Sequence, residues 1–204
     1  RDEALDKQLI SLARRHWFKP RLFATGPNTW LDLADKMSEL RLVKDAHDIK
    51  LLRRAAHATV QGHILGMRSV SPGLNESQLQ GAVEFGFRAY GGHGTSFNTI
   101  AAGGNNANVL HYDANRGVLR DGDLVLVDAG CEIDCMAGDV TRTYPVSGIF
   151  STPQADLYDL VLEAQYAAME KIKPGSSQDA AHDAAVKVIA RGLHDLGFFH
   201  QGKD

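Results

Sequence analysis

A chain of 204 residues with 44% hydrophobic and 23% charged side chains has enough apolar content for one large domain, or for one domain and part of another. Its 22 basic and 25 acidic residues give a formal charge of −3 with no basic stripe, a balance that argues against nucleic acid as a partner. Two cysteines, Cys131 and Cys135, are too few for a disulfide scaffold or a zinc quartet and read as free thiols; no apolar run approaches the roughly eighteen residues of a membrane span, so a cytoplasmic protein is expected.

Residues 1–19 place Leu5, Leu9, Leu12 and Trp17 at helical spacing and stop at Lys19-Pro20; the segment RLFATGPNTW follows and breaks at Gly26-Pro27. The first forty residues have no obvious partner elements elsewhere in the chain. Residues 42–70 predict a long amphipathic helix with Ile49, Leu52, Ala56, Val60, His63 and Met67 near one face, ended by Ser71-Pro72-Gly73. A second helix opens at Asn75, with Glu76 in its first turn, and runs to Gly91-Gly92. Period two then takes over. Residues 95–101 and 108–112 read as strands around the turn GGNNAN, and residues 124–128 and 139–144 as a second hairpin.

A helix, Pro-Gly turn, helix unit occurs twice, since VSPGLN at 70–75 aligns with IKPGSS at 172–177 at a constant offset of 102 residues. In the first unit strands follow the helices; in the second, VKVIARGLHDLGFF is followed only by HQGKD. The pattern predicts an α+β domain with internal pseudo-symmetry whose second half is incomplete. Its last helices would then leave Phe198 and Phe199 uncovered and favour self-association.

In LVLVD, Asp128 falls on the face of Leu124 and Leu126; on the returning strand Asp139 shares a face with Thr141 and Thr143. A hairpin turning about Ile133-Asp134 makes the two aspartates direct cross-strand partners, with Cβ atoms roughly 4.5–5.5 Å apart. A turn centred one residue away makes them diagonal. Like charges so close in a half-buried sheet need a shared proton, a basic partner or a divalent cation. Arg142 faces the other way, and hard divalent ions favour carboxylates. A solvated hairpin with both acids in water is the alternative reading of the same pattern.

The runs SFNTIAAGGNNANVLHYDAN and RDGDLVLVDAGCEIDCMAGDVTRTYPVSGIF resemble the aminopeptidase P and prolidase branch of the dinuclear metallopeptidases of family M24, which have the pita-bread fold. The paired aspartates followed by TRTYPVSG are more similar to Xaa-Pro aminopeptidases than to prolidases or methionine aminopeptidases. The resemblance implies that residues 1–40 are the remnant of an N-terminal domain with its linker and that residues 41–204 are part of the catalytic domain. It implies Asp128 as a ligand of one metal, Asp139 as a carboxylate bridging two, and His111 as a histidine that lines the substrate site. It further implies two manganese ions, peptides with proline at the second position as substrates, release of the residue before that proline, and homo-oligomers as an option. The histidine and two glutamates that complete the family's ligand set, and a further substrate histidine, have no match in the sequence. The expectation is a cut-down or vestigial peptidase with little activity of its own, with a non-catalytic peptide-binding module, a prolidase or a creatine hydrolase as alternatives.

Overall fold

The computed structural model describes residues 2–17, 29 and 31–199. They fall into two compact units, Arg1–His47 and Asp48–Asp204. The first contains α1 (Glu3–Trp17) and α2 (Leu33–Leu42). Asp2 starts α1 by accepting from Ala4 N and Leu5 N at 3.0 and 3.2 Å, as Asp32 starts α2 by accepting from Ala34 N at 2.9 Å. The sequence reading missed α2, whose apolar residues line no face and none of which is buried. The stop at Lys19-Pro20 and the segment RLFATGPNTW, Thr29 excepted, lie outside the described residues.

The second unit is built on α3 (Ala46–Ser69) and α4 (Glu76–Ala89), which cover one face of an antiparallel sheet. The predicted face of α3 needs correction. Of the six residues assigned to it only His63 is buried; Leu51, Ala55, Ala58, Thr59, Gly62 and Gly66 form the packed stripe, while Ile49, Val60 and Met67 are exposed. Apolar size pointed to the wrong stripe because α3 packs through its small residues. A β-carbon on Gly62 would sit 2.4 Å from the Phe87 ring, and one on Gly86 would sit 2.6 Å from Gly62 Cα, so the two helices approach where both lack side chains. Asn75 caps α4 in a capping box with Gln78, as its sequence position suggests.

The strands are β1 (Gly94–Thr95), β2 (Ile100–Gly103), β3 (Leu124–Ala129), β4 (Cys131–Ile133), β5 (Met136–Ala137) and β6 (Val140–Pro145). They form two three-stranded antiparallel sheets, β2-β3-β6 and β1-β4-β5. Residues 108–112 are not a strand. A 3-10 helix, Gly104–Asn108, follows β2, and His111 has a φ of 54°, which no strand accommodates. The predicted strand over 95–101 divides into β1 and β2, and β2 pairs with β3 instead.

Burial alternates along β3: Val125, Val127 and Ala129 enter the core with Leu79, Val83 and Phe87 of α4, while Leu124, Leu126 and Asp128 share the opposite, partly open face. Each fully buried Val, Leu or Phe contributes about 1.5–3 kcal/mol. The long hairpin turns at Asp134-Cys135, with φ values of 49° and 66°, the left-handed pair a two-residue type I′ turn requires. The predicted turn was centred one residue too early. Asp128 is paired with Thr141, and Asp139 is a diagonal neighbour on the same face.

The repeated units are both present. Helices α5 (Thr152–Met169) and α6 (Gln178–Asp195) match α3 and α4 at the turn, where Gly73 and Gly175 have φ values of 90° and 84° and Asn75 and Ser177 are the following N-caps. In this second pair Gly192 lies against Leu160, and only Leu160 and Ala164 of α5, and none of α6, are buried. Val161, Tyr166, Phe198 and Phe199 are all more than half exposed. Replacing Phe198 and Phe199 by serine should therefore lower self-association, read as a smaller rise of light-scattering mass with concentration than the unsubstituted chain shows. Equal concentration dependence in both proteins would dissociate these rings from the effect. Both cysteines are unpaired, Cys131 buried and Cys135 at the hairpin tip.

Candidate metal centre

Asp128 lies on the central strand of its sheet, between Ile100 of β2 and Thr141 of β6. Its Oδ1 is buried and has no hydrogen-bond partner among the described residues. A buried carboxylate oxygen left unpaired costs free energy unless something outside the chain satisfies it. Asp139 projects to the same side from opposite Gly130, which leaves no side chain between the two acids. Their diagonal separation is about 7–8 Å between Cα positions. Direct opposition would have crowded the charges; the diagonal leaves space between them.

Both aspartates line a 390 Å³ pocket with Phe97, Asn98, Ile100, His111 and Asp113. The structure thus gathers the three residues singled out from the sequence into one cavity. His111 enters from the 109–118 loop in its left-handed conformation, and the loop is tied down at its base. Asn115, buried and also left-handed, accepts from Ala101 N at 3.0 Å and donates to Gln80 Oε1 and Thr99 O at 2.9 and 2.7 Å. Asp113, two residues beyond His111, was missed by sequence reasoning because a lone acid just past a predicted strand carries no signal.

The hairpin's waist is held beneath the pocket. Thr59 Oγ1 donates to Ala55 O at 2.8 Å and accepts from Cys131 N at 2.9 Å; Ser96 Oγ donates to Gly138 O at 2.8 Å. His63 packs under β3 with Nε2 3.2 Å from Ala129 O, and burial holds its imidazole below the usual value against the opposing pull of the Ala129 and Val140 backbone. Arg142 pairs with Val127 and so faces away from the acids, as expected. His194, on α6, pairs with Asp195 at 3.3 Å in a mostly exposed position away from this pocket.

The donor set suits a hard divalent cation in kind: two carboxylates on one face, one with an orphaned oxygen. It falls short in number. Among the described residues, no group of three or more His, Cys, Asp or Glu side chains is placed to hold a metal ion. No helix among them is long and apolar enough to cross a membrane.

Residues 50–202 match the model of metallopeptidase family M24. The Xaa-Pro aminopeptidase of Haemophilus influenzae is 44% identical over 167 residues, which cover 82% of this chain and 39% of the relative. That of Escherichia coli is 40% identical over 173 residues, covering 85% of this chain and 39% of its own length. The chain thus spans about two fifths of each of these curated relatives. Among solved structures, an aminopeptidase of Pseudomonas aeruginosa superposes with a TM-score of 0.93 at 40% identity, over 98% of this chain and 46% of that one. A zinc-substituted Escherichia coli aminopeptidase P in complex with product gives 0.92 at 36% identity, over 97% and 45%. The helix and sheet arrangement is that of these aminopeptidases, a pita-bread fold with its second half incomplete in the part covered, and the chain belongs to metallopeptidase family M24.

Proposed function

We propose that this chain is the metal-binding first half of an Xaa-Pro aminopeptidase site, a cytoplasmic peptidase that releases the residue ahead of a proline. The observation that carries this reading is the buried, unpartnered Oδ1 of Asp128 on the same face as Asp139, in one pocket with His111. Asp128 and Asp139 would hold divalent metal, manganese by family resemblance, with Asp139 shared between two ions. When bound, such ions polarise a scissile carbonyl and lower the pKa of water to near neutrality. His111 contacts the peptide and sets its position, while Phe97 and Ile100 give the pocket an apolar wall. A complete dinuclear centre requires donors beyond these two acids, so the 204 residues alone turn over little peptide. Residues 1–40 are assigned to a separate N-terminal domain with its linker, and residues 41–204 to the catalytic domain.

That no three His, Cys, Asp or Glu side chains among the described residues are placed to hold one ion favours one competing reading, a peptide-binding relative without metal chemistry. Calorimetric titration of the full chain with the tripeptide alanyl-prolyl-alanine, with manganese and then with excess chelator, separates the two. The metallopeptidase reading expects peptide affinity to rise with manganese and to fall with chelator. Binding indifferent to chelator would leave the metal-free module as the better account.

A further inference from the structure

Glu76 is 1% exposed, carries a carboxylate, and meets no cationic partner among the described residues. In its sequence position it passes for an ordinary first-turn acid of α4. Burying such a charge is costly unless several donors meet it, and four do. Oε1 accepts from Gly103 N and Asn106 Nδ2, each at 2.8 Å; Oε2 accepts from the Tyr112 hydroxyl at 2.8 Å and from Gly117 N at 2.6 Å. Burial pushes this carboxyl up, but the donors from Asn106, Gly103, Gly117 and Tyr112 outweigh it and hold the group below the usual carboxylate range. An aliphatic side chain would avoid burying a charge but leave the Gly103 and Gly117 N–H groups without acceptors, so the carboxylate contributes hydrogen bonding to these segments and not packing alone.

Its donors come from two segments that border the pocket. Gly103 and Asn106 belong to the end of β2 and the 3-10 helix; Tyr112 and Gly117 belong to the loop that presents His111. Asn75, one residue earlier, binds the same loop by donating to Arg116 O at 2.9 Å, and Glu76 N donates to Gly117 O at 2.9 Å. These backbone ties grip only the loop's far end. Next to His111 itself, the Tyr112 hydroxyl on Glu76 is the anchoring contact, and Asn106 Nδ2 reinforces it at 3.1 Å from the same oxygen. The flanking Val109 and Leu110 are exposed, so packing does not hold that side. Gly117 must be glycine for this arrangement, since a β-carbon there would lie 2.9 Å from the Glu76 carboxyl carbon.

We propose that Glu76 is a positioning residue for the substrate side of the pocket: through Tyr112 and Gly117 it fixes the loop so that His111 stays in the cavity. The role in peptide binding rests on the reading of His111 given above; the fixing of the loop does not. Glu76→Gln keeps the shape but turns one oxygen into an N–H donor, which cannot receive a backbone N–H: Gly117 loses its acceptor if the amide nitrogen takes the Oε2 position, and Gly103 if it takes the Oε1 position.

The test uses the full 204-residue chain, observed by NMR without metal or peptide and then titrated with manganese and with alanyl-prolyl-alanine. In Glu76→Gln the His111 imidazole resonances should move, and the amide of Gly117 or of Gly103, whichever faces the new nitrogen, should exchange about tenfold faster, while amides of β3 and β6 keep their rates. Peptide affinity should fall about tenfold with manganese affinity unchanged, a split that general loosening of the fold would not give. Tyr112→Phe removes one of the four donors and should displace the His111 signals in the same direction by less; it decides the matter if Glu76→Gln does not fold. Unmoved His111 resonances in the folded variants would overturn the positioning role. If they move but the unsubstituted chain binds no peptide, the loop-fixing role stands and the peptidase reading of the pocket falls.

Discussion

Gly130→Ala should destabilise the chain by about 3 kcal/mol and remove its response to divalent metal. A β-carbon at Gly130 would lie 1.9 Å from Gly138 O and 2.4 Å from Ser96 Oγ. Neither neighbour is free to yield. Gly138 O belongs to the backbone of the hairpin's returning arm, between β5 and β6, and accepts from Ser96 Oγ, and Gly138 itself is wedged against α3, where its own β-carbon would meet Thr59 Oγ1 at 2.2 Å. The added methyl must therefore push the two arms of the hairpin apart at its waist, straining the Thr59 to Cys131 hydrogen bond as well. Asp128 and Asp139 stand on either side of that point, so their spacing changes with it. Gly122→Ala supplies the control: Gly122 has a φ of 81° but no atom within 4 Å of its would-be β-carbon, so only the left-handed conformation resists, at about 1–2 kcal/mol. Denaturant midpoints of the two variants give the comparison. A Gly130→Ala protein no less stable than Gly122→Ala would show that the waist is not tight.

Asp128→Asn separates the cost of the acid from its use. Without metal the substitution removes a charge from beside Asp139 and from a partly buried position, and the melting temperature should stay level or rise. With manganese at about a hundred times its dissociation constant the unsubstituted chain gains about 2.7 kcal/mol, roughly 5–10 °C for a protein of this size. The variant should gain almost nothing. Thermal melts of both proteins, with manganese and with chelator, measure this directly. An equal metal-dependent rise in the two would remove Asp128 from the centre and leave the orphaned oxygen without a purpose.

Much of this was legible from spacing. Period two along LVLVD set the face of Asp128, and the Pro-Gly repeat at its constant offset marked both helical hairpins. Parity also protected the site reading from its own error. Moving the turn from Ile133-Asp134 to Asp134-Cys135 changed the cross-strand partner of Asp128 but not the face of Asp139, because the partner moves by two positions when the turn centre moves by one. What failed did so where backbone conformation or close approach outweighs side-chain pattern. The 108–112 strand was lost to a left-handed His111, and the α3 stripe was misplaced because glycines and alanines, light on any hydrophobic scale, made the tightest contacts. Glu76 was hidden for a related reason: an acid at a helix start is unremarkable until four donors from distant segments converge on it. Long-range convergence leaves no local trace in a chain.

The two-residue tip at Asp134-Cys135 turns the interval between the aspartates into an odd-or-even rule. With no slack in the turn, any odd separation along the hairpin puts both acids on the open face, and any even one sends the second toward α3 and α4. An insertion of a single residue in one arm between the aspartates would thus erase the centre and, unless a bulge absorbed it, turn that strand's core face outward as well, whereas a pair of residues, one in each arm, would lengthen the hairpin and leave its chemistry in place. Drift in the length of this hairpin is constrained by counting, independently of which amino acids are gained or lost.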